Sequence, residues 1–146
     1  MKKEPPTMSQ TIQFNPDIPR VVNRPGQFSY ENGICVTLAR PGYAEGVLEV
    51  RPTSSNPHGT VHGGCLYTLA DTVAGTAACA HGASCVTVSG SMEFLRPATG
   101  PRIRCVATPK KQGQTLSVMQ VVLTNEGGKE VATGTFTFFM SQPENR

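Results

Sequence analysis

No stretch of this 146-residue chain stays apolar long enough to span a bilayer. The two N-terminal lysines of "MKKEPPTMSQ" have no apolar run behind them, so no signal peptide is expected. Its five cysteines (Cys35, Cys65, Cys79, Cys85 and Cys105) are odd in number and show no CxxC spacing. They read as small buried hydrophobes in a reducing cytoplasm rather than as a disulfide framework. The formal net charge is only +3, and the basic residues are scattered from Lys2 to Arg146. With no concentrated basic face and no recognisable module, nucleic-acid binding is set aside. The sharpest absence is local. From Pro52 to Met92 there is no Lys, Arg or Glu, and Asp71 is the only formal charge.

What is present suits one domain: the length allows a single substantial core, and 15 Gly and 12 Pro supply many turns. Residues 1–25, proline-rich and without sustained periodicity, read as a loose extension, which leaves 26–146 as the folded domain. A short turn or helical segment is expected at "QFSYENG". "ICVTLA" (34–39) and "YAEGVLEV" (43–50) follow as two strands joined by "RPG". Residues 51–60 are loop by composition. Residues 62–80 form the one good helix candidate, with Leu66, Leu69, Ala70, Val73 and Ala77 on a single stripe and Gly82 as a natural stop. Four strands are expected after it. The first (85–96) would place Val86, Val88, Met92 and Phe94 on one face. The others span 102–111, 115–124 and 130–140, with turns at "KQGQ" and "NEGGK". This order predicts an α+β domain in which one curved antiparallel sheet wraps one long helix.

A helix with so few charges around it is not a surface helix; its own sheet and a second subunit are expected to enclose it. Asp71 lies off the apolar stripe, beside Gly64, Ala74, Gly75 and Ala78, which leave room for a ligand or for another backbone. The plainer alternative is a solvated aspartate on an open helix face. At the helix start, Gly63 and Gly64 leave unpaired N–H groups unobstructed at the positive end of the dipole. A carbonyl oxygen gaining charge in acyl transfer is one candidate occupant, and such a donor is worth about 2.7–4 kcal/mol in the transition state. Tight packing of the helix start is the alternative. Asp71 lies eight residues beyond Gly63, about 12 Å along a helix. One chain cannot easily aim both at one carbon, but a two-fold dimer with antiparallel helices can.

"NPHGTVHGGCLYTLAD" followed by "CVTVSGSMEFLRPA" resembles the hotdog-fold acyl-CoA thioesterases, and most of all the phenylacetate-degradation (PaaI-like) subfamily, from about residue 26 to 140. The resemblance implies a sheet around a central helix, edge-to-edge homodimers and often tetramers. It implies hydrolysis of an acyl-CoA to a carboxylic acid and free CoA, with no cofactor, since coenzyme A belongs to the substrate. At matching positions, Asp71 would act as base on water or as nucleophile, and the Gly63 N–H of the other subunit would polarise the carbonyl. Asn56 would stand near the same carbonyl, His62 would position substrate or the departing thiolate, and Thr87 would help hold the water.

His58 and His62 are four apart but precede the helix and lack the glutamate of an HExxH motif, so no metal site is expected. No nucleophile elbow supports a serine or cysteine mechanism. Lys110 and Lys111 could meet CoA phosphates, though solvated turn lysines are commoner. A non-catalytic acyl-CoA-binding module and a hotdog hydratase or dehydratase stand as alternatives. No nucleic-acid or membrane partner is expected, and the location expected is cytoplasmic.

Overall fold

The structure, a computed structural model, describes residues 21–141. A four-residue helix α1 (Phe28–Glu31) leads into β1 (Ile34–Arg40) and β2 (Tyr43–Glu49), and a 3-10 turn (Pro52–Ser54) follows. Next comes α2 (Gly63–Cys79), and then β3 (Ser84–Phe94), β4 (Arg102–Gln112), β5 (Leu116–Thr124) and β6 (Glu130–Ser141). The six strands form one sheet in the order β1-β2-β4-β5-β6-β3, and every neighbouring pair is antiparallel. The expected α+β hotdog architecture is therefore present, with element ends within a residue or two of the sequence-based spans. The expected extension, residues 1–25, falls mostly outside the described residues. Asn23 lies within them and is tied to β1: its side chain donates to the Val36 carbonyl and accepts from the Val36 N–H, both at 2.8 Å.

Helix α2 lies across the inner face of the sheet and touches all six strands. Its predicted stripe is buried as expected: Leu66, Leu69, Ala70, Val73 and Ala77 are at most 3% exposed. They meet Ile34, Leu48, Ile103, Met119, Leu123 and Phe136 from the strands. Truncating a core leucine such as Leu69 to alanine would cost about 2–5 kcal/mol. The helix sits close to the sheet because its stripe includes the small Ala70 and Ala77 and because Gly46 on β2 has no side chain. A Cβ at Gly46 would overlap the Val73 methyl, so this strand position is reserved for close helix approach. At the other end, Gly82 adopts φ 102° and its N–H bonds to the Cys79 carbonyl at 3.0 Å, closing the helix where the sequence placed its stop.

Two expectations need correction. In β3 the alternation does not hold Val86, Val88, Met92 and Phe94 on one face: Val86 pairs with the outward Phe139, while Met92 and Phe94 pair with Gly134 and Ala132. Val86, Val88 and Phe94 are 63%, 59% and 54% exposed, while Met92 is half-buried. The register slips between Thr87 and Ser89, leaving Val88 as the extra residue of a bulge, and β3 is the edge strand beside β6. The cysteines also differ from their reading. Cys79 at the end of α2 and Cys85 at the start of β3 are paired in a disulfide. The turn at Gly82 folds the chain back so that the two meet, a closure that C-x5-C spacing does not announce. Cys105 is buried, and Cys35 and Cys65 are half-buried free thiols.

Candidate active site

Asp71 sits halfway along α2, on the flank of the apolar stripe, and is only partly buried. Thr87 comes from the adjacent edge of β3, and its Oγ1 donates to Asp71 Oδ1 at 2.7 Å. Among the described residues no ion pair engages Asp71, so this hydroxyl is the group that orients its carboxylate. The two residues line one end of a cavity of about 540 Å³ that runs between α2 and the β3–β6 side of the sheet.

The start of α2 is built differently. His62 is the N-cap, and its Nδ1 accepts the Gly64 N–H at 2.8 Å. That bond leaves Nε2 as the ring nitrogen free to meet another group. Cys65 and Leu66 donate to the His62 carbonyl. The Gly63 N–H meets no acceptor among the described residues, as expected of the first helical position. Gly63 opens onto a second cavity of about 380 Å³ with Asn56, Leu66, Phe94 and Pro97. The Phe94 ring lies against Gly63, so close that a Cβ there would touch it at 3.4 Å. Asn56 spends its side chain on its own loop: Oδ1 accepts from the His58 and Thr60 N–H groups, and Nδ2 donates to Thr60 Oγ1 at 2.8 Å.

Within one chain the structure thus brings Asp71 to Thr87, and Gly63 to Asn56, but keeps the two pairs in separate cavities. The His62 side chain faces a third side, with Phe28, Cys65 and Thr68, and serves the helix cap. Lys110 and Lys111 line neither cavity. Lys110 Nζ reaches over β5 to Thr135 Oγ1 on β6, at 3.3 Å. No group of three or more His, Cys, Asp or Glu is gathered as a metal site among the described residues. Sequence reasoning missed Phe94, the Cys79–Cys85 pair and Phe138, which lines the Asp71 cavity. Hydrophobic alternation marks such residues as core and carries no sign that they border a site.

Comparison with known proteins agrees with this architecture. The family model of the thioesterase superfamily matches residues 58–132, which span Gly63, Asp71 and Thr87. Human acyl-coenzyme A thioesterase 13 is 35% identical over 108 residues, covering 71% of this chain and 77% of that protein. The acyl-coenzyme A thioesterase PaaI of Escherichia coli is 30% identical over 111 residues, covering 70% and 79%. A thioesterase protein of Streptococcus pneumoniae, solved with coenzyme A, superposes with a TM-score of 0.72 at 30% identity, covering 78% of this chain and 89% of that one. The antiparallel sheet around one main helix agrees with these likenesses. The chain belongs to the thioesterase superfamily, in its hotdog-fold, PaaI-like branch, and is a thioester hydrolase.

Proposed function

We propose that the protein hydrolyses acyl-CoA thioesters, and that each of its active sites is shared between two chains. The observation that carries this reading is the 2.7 Å hydrogen bond from Thr87 to Asp71, the one charge between Pro52 and Met92. The names of the human and Escherichia coli relatives, and the coenzyme A bound in the Streptococcus pneumoniae structure, support a CoA thioester as substrate. Asp71 acts as general base on water or as nucleophile on the thioester carbon. The Gly63 amide of the other subunit stabilises the oxygen that gains charge, and Thr87 steadies the carboxylate. Water adds across the C–S bond, the acyl carbon leaves as carboxylic acid and the sulfur leaves as the CoA thiol. Asn56 shapes the loop beside the Gly63 amide, and His62 caps that helix. Lys110 and Lys111 are the basic groups offered to the CoA phosphates.

The edge strand supports the shared site. Ser84–Phe94 contains no Lys and no Pro, two of the usual protections of an exposed edge, and its one bulge leaves Val86 and Val88 open to solvent. Antiparallel pairing of two β3 strands would bring the end that carries Thr87 in one chain beside the end that carries Phe94 in the other, and the Phe94 ring covers Gly63. The carboxylate of one chain and the free amide of its twin then face a common space, in a homodimer or a pair of such dimers. A cytoplasmic location fits this substrate.

The test is thiol release over a panel of acyl-CoAs, wild type beside Asp71→Asn. A loss of at least about 1,000-fold in kcat is expected when the reacting carboxylate becomes an amide. Equal rates would remove Asp71 from the mechanism.

A further inference from the structure

Two side-chain links tie the start of β3 to α2. One is the Thr87–Asp71 hydrogen bond, and the other is the disulfide from Cys85 to Cys79. Cys85 and Thr87 stand two residues apart on one strand, so their side chains leave the same face. Both line the cavity that reaches Asp71, and Cys79 lines it about 12 Å further along α2. Each cysteine is half-buried, neither sealed in the core nor standing on the open surface.

The fold does not lean on this bridge. It spans a sequence separation of only 6, and short loops gain least from a cross-link. β3 is already paired to β6 from Ser84 to Phe94, and α2 is held by its own apolar stripe. The open form is accommodated as well, since Cys85 Sγ lies 3.6 Å from the Gly75 carbonyl oxygen, an acceptor for a thiol proton. The two Cα atoms are 6.3 Å apart, inside the ordinary range for bridged cysteines, so an opened pair can close again where it stands.

We propose that Cys79–Cys85 is a thiol-exchange site, opened by a small-molecule monothiol that enters through the cavity, and that its state adjusts the hold of Thr87 on Asp71. A thiolate R–S⁻ attacks one Sγ and forms a mixed disulfide. The other Sγ leaves with the electron pair of the broken S–S bond and takes up a proton. A second R–SH displaces the remaining protein sulfur, so R–S–S–R departs and two cysteine thiols stay behind. R–S–S–R runs the same steps backwards. With the bridge closed, Cys85 keeps Thr87 against the helix; with it open, the hydroxyl has only its own hydrogen bond to keep it there. Cys85 is thus a positioning residue. The effect on turnover rests on the thioesterase reading of Asp71, whereas the exchange does not. A small thiol is favoured over a protein reductant because the cysteines are half-buried and face a cavity. Coenzyme A released by hydrolysis and other cellular monothiols share the required chemistry.

The whole chain is equilibrated with glutathione, with coenzyme A or with a CxxC dithiol protein, then alkylated in denaturant and weighed by mass spectrometry. Untreated protein should take up three alkyl groups, at Cys35, Cys65 and Cys105, and protein opened by glutathione should take up five. Opening by coenzyme A at far lower concentration than glutathione would make the released product the source. Similar concentrations would support cellular monothiols in general. Cys79→Ser treated with oxidised glutathione should carry the mixed disulfide on Cys85, located by peptide mapping.

Opening the bridge should lower kcat about 3- to 10-fold, with KM and melting temperature little changed. Thr87→Val, with no hydroxyl to hold, should lose that response. Opening by the protein dithiol alone would overturn the small-thiol assignment. Unfolding on opening would make the bridge a staple and overturn the proposal. An active wild type whose kcat ignores the bridge, or a response kept in Thr87→Val, would overturn the link to Asp71. Exchange without any thioester cleavage would support the site and overturn the hydrolase reading alone.

Discussion

Thr87 Oγ1 on an edge strand donates to Asp71 Oδ1 on the central helix across 2.7 Å, joining two elements sixteen residues apart in sequence. The bond leaves the second carboxylate oxygen available to water or to a thioester carbon. A hydrogen bond to a charged group contributes about 1.5–3 kcal/mol. Thr87→Val should therefore lower kcat about 10- to 100-fold with little change in melting temperature, and Thr87→Ser should restore most of it. Steady-state kinetics beside a thermal melt checks this. A Thr87→Val enzyme with undiminished kcat would mean that the hydroxyl merely occupies the carboxylate.

The division of the site between chains can be read by complementation. Gly63→Pro removes the unpaired N–H while keeping a residue favoured at the first helical position. His62 before it, at φ −62° and ψ 135°, already has the backbone that a following proline requires. Asp71→Asn and Gly63→Pro should each be inactive alone. Unfolded and refolded together, they should regain about a quarter of wild-type activity. Half of randomly mixed dimers are then heterodimers, each with one intact site of two. No recovery on mixing would place both groups in one chain's site.

The open edge of β3 yields a prediction about mass. Val88 is 59% exposed on the bulge and has no strand beyond it. Val88→Lys should convert a species of twice the chain mass, or a multiple of it, into monomer. Activity should fall with it, while far-UV circular dichroism remains that of the folded chain. Light scattering on the two proteins decides, and a fully active monomer would contradict a shared site.

Alkaline pH should weaken the fold through its thiols. Burial pushes the Cys105 thiol far above its ordinary value of 9.0. Burial also raises Cys65, against a smaller opposing effect of its hydrogen bond with Ser54. In the unfolded chain these groups ionise near 9, whereas burial in the folded chain holds them protonated to higher pH. The stabilisation they give is thus complete below pH 9 and is lost as pH rises above it. Melting temperatures between pH 8 and 10.5 should fall, and Cys105→Ala should start lower at pH 8 but decline less steeply. Parallel declines would assign the loss to other groups.

Much of the fold was legible because its signals are local. The 3.6-residue recurrence of Leu66, Leu69, Val73 and Ala77 wrote the helix, and Gly82 wrote its end. β3 was misread because alternation assumes an unbroken register. The bulge at Val88 shifts the register, so Val86 falls on the other face from Met92 and Phe94.

The sequence by itself determined the elements, the isolation of one carboxylate in an otherwise uncharged span and the pair of glycines at a helix start, since spacing and side-chain chemistry suffice for these. Tertiary structure alone decided that Thr87 reaches Asp71, that Cys79 meets Cys85, that Phe94 covers Gly63 and that a cavity opens beside Phe138. Those relations depend on how far the helix sinks into the curved sheet and on where the β3 bulge shifts the register, and both are set by packing between residues distant in sequence.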